Sequence, residues 1–238
     1  MSDNALKTLQ EAGIHFGYPR TRRHPTAAPF LFGTKDRTDL FDLSQTATRL
    51  ESAKAFAQAL AGTGKQILFV GGKNEAVKSI KDGAERIGVP YVAGRWIGGT
   101  LTNFKNIRKR IERLENLTKD RDSGELEKKY TKREQLLLSR EIENLEFRFG
   151  GIVSLTDLPG ALFVVDPRHE HTAVKEANQL KIPVIALASS DCDFDTVQYP
   201  IPGNDTVQKS ISLVVSAIAE AFAAGRRAPA PTERSVIK

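Results

Sequence analysis

From residue 44 onward, short uninterrupted apolar runs alternate with longer stretches whose apolar positions recur every three or four residues. The runs at 66–70, 89–92, 161–165 and 184–187 show no alternation of period two. That pattern predicts strands buried on both faces, as in a parallel sheet. A shorter run at 199–201 predicts a further strand. Between them, the spacing predicts a helix from Ser44, read as its N-cap, to about residue 61. Leu50, Ala53, Ala57 and Leu60 share one face of it, and Gly62 is the stop. Further helices are expected at about 74–88, 172–180 and 205–224. Strands separated by helices of this length predict an α/β fold with a parallel sheet covered on both sides.

The stretch 104–149 breaks the rhythm. Phe104, Ile107, Ile111, Leu114 and Leu117 recur at three- and four-residue spacing, as do Leu138, Ile142, Leu145 and Phe149. Thr131 and Glu134 have the spacing of a capping box, and the polar segment around Gly124 suits a turn. The pattern predicts an inserted antiparallel coiled-coil hairpin at 104–149. It divides a discontinuous α/β domain, 1–103 and 150–225, and a basic tail follows at 226–238. Gly98 and Gly99 are expected to make the close turn that seats the hairpin, with Thr100 and Thr102 opening its first helix.

Of 238 residues, 40% are hydrophobic, which is enough for a sizeable core. A single cysteine, Cys192, excludes an internal disulfide framework and a zinc ribbon, and fits a reducing compartment. The first twenty residues hold Lys7 and Glu11 and no apolar signal core, and no run is long enough to span a bilayer. A soluble cytoplasmic protein without a membrane partner is therefore expected. The formal charge of +6 is unevenly spread. Residues 104–133 carry eleven basic side chains against six acids, whereas 139–225 carry six against twelve. One face turned toward phosphates and another turned away would produce this segregation.

Enzyme chemistry finds little support. Gly71-Gly72-Lys73, between a strand and a helix, invites comparison with a phosphate loop, but the required glycine spacing and the Ser or Thr after Lys are absent. A tight turn is the favoured reading, with a nucleotide-binding protein or enzyme using that turn as the alternative. Asp166, His169 and His171 lie close in sequence without a further strong ligand for zinc. Asp191, Asp193 and Asp195 begin like a calcium loop, but Thr196 stands where glycine is needed. Those carboxylates would raise the Cys192 thiol pKa, which argues against a nucleophile. No catalytic residue, metal or cofactor is expected.

The basic segments point elsewhere. Arg20, Arg22, Arg23 and His24 lie between Pro19 and Pro25, predicting an extended arm, with Lys35 and Arg37 close behind. Lys105, Arg108, Lys109 and Arg110 line the hairpin base. The Lys and Arg residues named here, with Arg95 and Trp96, are the candidate RNA-binding residues, suited to phosphate contacts. Trp96 has two readings: stacking on an exposed base, or packing beneath the hairpin.

Four blocks, EAGIHFG at 11–17, RWIGGTLTNF at 95–104, LPGALFVVD at 158–166 and IPGNDTVQKSI at 201–211, closely resemble the bacterial ribosomal protein S-two family over nearly the whole chain. The resemblance implies a flavodoxin-like three-layer α/β/α fold with a coiled-coil hairpin. It also implies a structural component of the small (30S) subunit that binds 16S rRNA and contacts ribosomal protein S-one. Arg95 and Trp96 match the family's Arg-Trp pair, and residues 105–110 match its basic hairpin base. The chain departs from the family in having Tyr18 for its usual His and Ala93-Gly94 for its Asn-His. Asp191-Cys192-Asp193-Phe194 likewise stands for its Asn-Cys-Asp-Pro.

Overall fold

The computed structural model describes residues 3–227. Helix α1 (Asp3–Glu11) precedes strands β1 (Phe16–Pro19), β2 (Leu31–Lys35) and β3 (Thr38–Phe41), which form a small antiparallel sheet in the order β1-β3-β2. The sequence pattern did not predict this sheet, because its strands are short and half exposed. Asp36 and Arg37 link β2 to β3 with φ of 49° and 64°. Two positive φ values in a two-residue loop match the right-handed twist of the strands it joins. The arm expected to be extended at Arg20–Arg22 is instead a 3-10 turn, and a second such turn spans Pro25–Phe30. Proline fits the first position of a helical turn, where its missing N–H costs nothing. His24 accepts the Thr26 N–H as a cap.

Helix α2 (Leu43–Gly62) leads into β4 (Ile67–Val70), α3 (Asn74–Ile87) and β5 (Tyr91–Val92). The cap of α2 is Asp42, whose carboxylate accepts the Ser44 N–H at 2.9 Å, not Ser44 itself. Gly88 closes α3 in the left-handed conformation at φ 62°, a position that strains other residues. The inserted segment follows as α4 (Phe104–Asp122), a short α5 (Glu125–Lys129) and α6 (Lys132–Phe149). Then come β6 (Ala161–Val165), α7 (His171–Gln179), β7 (Val184–Ala188), β8 (Tyr199–Pro202) and α8 (Gln208–Arg227). The last helix starts later than its apolar pattern suggested. Asn204 Oδ1 takes the N–H groups of Thr206 and Val207 in a turn that holds residues 205–207 out of the helix. Arg226 and Arg227 end α8, and the rest of the expected tail lies outside the described residues.

Strands β5-β4-β6-β7-β8 form one parallel sheet. Successive residues point to opposite faces, so Ile67 and Phe69 join one core while Leu68 and Val70 join another. The first core is closed by α2, α3 and α8, including Ile80, Val214 and Phe222. The second is closed by α7 and by the root of the inserted helices, including Trp96, Leu101, Ile107 and Phe149. Three layers result. Full burial of β4, β6 and β7 on both sides explains why their sequences run apolar without alternation.

Helices α4 and α6 pack on each other along the predicted apolar spacing. Ile111, Leu114 and Leu117 of α4, Leu126 of α5 and Ile142 and Leu145 of α6 are buried in one cluster, with Leu138 packed against it. Arg113 pairs with Glu141, while Ile107 faces Leu145 and Phe149 across a groove, so α6 runs back along α4. Glu134 accepts the Thr131 N–H at 2.9 Å, completing the capping box at the start of α6.

Candidate nucleic-acid interface

The inserted helices are seated by one carboxylate. Glu176 of α7 is 7% exposed and accepts five hydrogen bonds. Its Oε1 takes the Trp96 indole N–H at 3.1 Å and the Gly99 N–H at 2.8 Å. Its Oε2 takes the N–H groups of Leu101 and Thr102 at 3.0 and 3.1 Å and the Thr102 hydroxyl at 3.2 Å. Burial pushes the Glu176 pKa up, but these donors outweigh it and hold the group below the ordinary value. The N–H groups of residues 101 and 102 are thus spent on Glu176, and α4 starts only at Phe104. Trp96 is 8% exposed and packs in the second core beneath the arm.

Hydrogen bonds and ion pairs sort the candidate cations into two groups. Arg108 is half-buried, donating to the Val153 carbonyl at 3.1 Å and to Glu115 at 3.4 Å. It clamps the root of α4 to the segment after α6. Arg23 donates through Nε and Nη2, one edge of its guanidinium, to the two carboxylate oxygens of Asp39, which is fully buried, and Nη2 also donates to Thr34. Arg22 lies over the Tyr18 ring at 5.6 Å. Lys105, Lys109, Arg110 and Arg95, by contrast, are exposed and carry no side-chain partner among the described residues. Arg20, Lys35 and Arg37 are likewise exposed and unpaired. The Arg20 N–H donates to the Arg37 carbonyl at 2.9 Å, so their side chains lie together at one end of the small sheet. They line a concavity with Pro19, Thr21 and Thr34.

The ends of the parallel strands hold a different cluster. Lys73 Nζ lies 3.0 Å from the Tyr18 hydroxyl, 3.1 Å from Asp166 and 3.2 Å from Asp205. Burial alone would lower the Lys73 pKa, but Asp205, Tyr18 and Asp166 raise it. Asp205 is fully buried without an aligned hydrogen bond. Burial and then the Asp166 charge push it up to about 7. Asp166 goes the other way: burial opposes ionisation, yet the His169 N–H and Lys73 hold it low. Cys192 lies within 4.8 Å of both carboxylates, and burial raises its thiol first, the carboxylates second. The Lys73 ammonium already sits where a cation between those groups would go. His169 turns to Glu170 at 2.8 Å and His171 is exposed, so the two histidines do not converge with Asp166 on one point. Nor does Lys73 reach outward to a phosphate. This removes the residue on which nucleotide binding at the Gly71-Gly72 turn depended.

The model of the family described as Ribosomal protein S2 matches residues 9–225. The chain belongs to the ribosomal protein S2 family. It is 42% identical to the small ribosomal subunit protein uS2 of Syntrophobacter fumaroxidans, with 97% of this chain and 84% of that protein covered. The uS2 proteins of Corynebacterium jeikeium and Corynebacterium urealyticum are each 41% identical over 98% of this chain, which spans 84% and 87% of their lengths.

Within this S2-family chain, sequence reasoning missed three residues that organise this candidate surface. Glu176 and Asp39 were unmarked because a buried acid has no local signature, and only the fold brings its donors to it. Arg148 of α6 returns to the root of the arm beside Lys109 and Arg110. Its seven-residue distance from Glu141, the partner of Arg113, was the available signal.

Proposed function

We propose that this protein is a structural constituent of the small ribosomal subunit, acts in the cytoplasm, and binds 16S rRNA through two sets of unpaired cations. One set is Lys105, Lys109, Arg110 and Arg95 around the root of the inserted helices. The other is Arg20, Lys35 and Arg37 at the end of the small sheet. Membership of the S2 family supports the ribosomal role. The observation that carries the RNA reading is the absence, among the described residues, of acidic partners for these exposed cations, when neighbouring arginines such as Arg113 and Arg121 are neutralised by acids. A cation without an internal partner keeps its full attraction for phosphate and releases counterions on binding. In this reading the flavodoxin-like body, 1–103 with 150–225, carries the coiled-coil arm at 104–149. Arg23, Trp96 and Arg108 serve as framework. Ribosomal protein S-one is the further partner we propose, on the family resemblance.

The test is sedimentation of purified protein with small subunits depleted of it, across a salt series. Replacing Lys105, Lys109 and Arg110 with Gln should move co-sedimentation to lower salt. Unchanged salt tolerance in that triple variant would sink the assignment.

A further inference from the structure

Between α4 and α6, at the root of the arm, runs a groove of about 590 Å³. Asn103, Asn106, Lys109, Arg110, Asn144 and Arg148 line it, over a floor that includes Ile107. No acid lines it. Lys109, Arg110 and Arg148 have no side-chain partner among the described residues, and neither does Asn144. Asn106 donates to Asn103 Oδ1 at 2.9 Å, which leaves the Asn106 oxygen and the Asn103 NH₂ open. Directly before Arg148 in the chain and one turn from Asn144, Phe147 is 85% exposed, on the side of α6 away from its buried Ile142, Leu145 and Phe149.

We infer that this groove takes one unpaired ribonucleotide, its flanking phosphates on Lys109, Arg110 and Arg148 and its base edge against the side-chain amides. Phe147 offers a ring on which a neighbouring base stacks. The inference rests on the RNA-binding reading above and names the form of RNA that this part of the surface accepts. The volume is in the range that holds a small ligand. A duplex presents a convex backbone and stacked, paired bases, so it cannot fill a cleft between two helices. An unpaired base can be turned outward into it. Amides supply both donors and acceptors, as a base edge requires. An acidic peptide would match the charge, but it needs neither three amides nor an exposed ring.

Fluorescence anisotropy of the full chain with a labelled single strand of about ten nucleotides, and with the same strand in a duplex, tests this. The parent should prefer the single strand. Phe147→Ala should weaken single-strand binding about tenfold, with duplex binding and salt slope unchanged. Asn144→Ala should weaken it in the same way. Arg148→Gln should reduce the salt slope by about 0.7, one phosphate contact on a single strand. Both Phe147 and Asn144 are exposed, so thermal melts of these variants should match the parent. Equal affinity for duplex and single strand, or parent-like binding by both Ala variants, overturns the groove assignment and leaves the ribosomal reading standing. Displacement of the RNA by polyglutamate at matched charge overturns it in favour of a peptide. A parent that binds neither RNA sinks the RNA-binding reading as well.

Discussion

Trp96 and Glu176, eighty residues apart, share a 3.1 Å hydrogen bond that ties the root of the inserted helices to a helix covering the sheet. The same carboxylate takes three backbone N–H groups, so it organises a whole turn rather than one side chain. Glu176→Ala would strand those donors in a closed space. Unsatisfied buried donors cost about 1–3 kcal/mol each before water enters. We expect a loss of about 3 kcal/mol in urea unfolding, with Trp96 fluorescence shifting to the red. A parent-like midpoint and spectrum would refute the anchor.

Acid should loosen the same joint. The Glu176 pKa is depressed in the fold, so its stabilisation is complete above the ordinary value of 4.5 and is lost as pH falls through the lower folded value. Glu176→Gln should flatten this acid limb of a thermal-melting profile. An acid limb as steep as the parent's would show that other carboxylates account for it.

Asp205 behaves in the opposite sense. Its folded pKa of about 7 lies above the ordinary 3.8, so the fold binds the extra proton between them and this group's contribution declines as pH rises from about 4 to 7. Asp205→Asn should therefore gain stability relative to the parent between pH 5 and pH 8. Parallel melting profiles would contradict a raised Asp205.

Lys73 is the counter-charge of that cluster. Lys73→Met leaves Asp166 and Asp205 buried together, and breaking such a contact costs about 3–5 kcal/mol. Adding Asp205→Asn should recover part of the loss at neutral pH. A double variant no more stable than Lys73→Met would mean that packing, not charge, is at stake.

Arg23 and Arg20 separate framework from contact. Arg23→Ala uncovers the buried Asp39 carboxylate and should cost about 2–4 kcal/mol of stability. Arg20→Ala, at an exposed unpaired side chain, should stay within about 0.5 kcal/mol of the parent and lower the salt tolerance of subunit binding. The reverse pattern would exchange their roles.

Much of the sheet was readable because burial on both faces leaves an apolar run that no surface strand shows, as in 67–70 and 161–165. The helices at 104–149 were readable because their apolar positions recur at three- and four-residue spacing from 104 to 117 and from 138 to 149. The small sheet was not, since Phe16, Phe32 and Lys35 are exposed and the buried face of β3 holds a charged residue, Asp39, beside Phe41. Sequence offered ten candidate cations on equal terms, and Trp96 beside them with two readings. It could not say that Arg23 and Arg108 are already engaged, because their partners lie 16 and 45 residues away.

Periodicity, capping spacing and charge distribution by themselves determined the α/β body, the inserted helices and the basic character of their root. These depend on neighbours within a few residues, where local geometry is fixed by the chain. Tertiary structure alone decided which charges remain available. Pairing depends on through-space distances of about 3 Å between distant segments, and a desolvated acid draws its donors from wherever the fold delivers them.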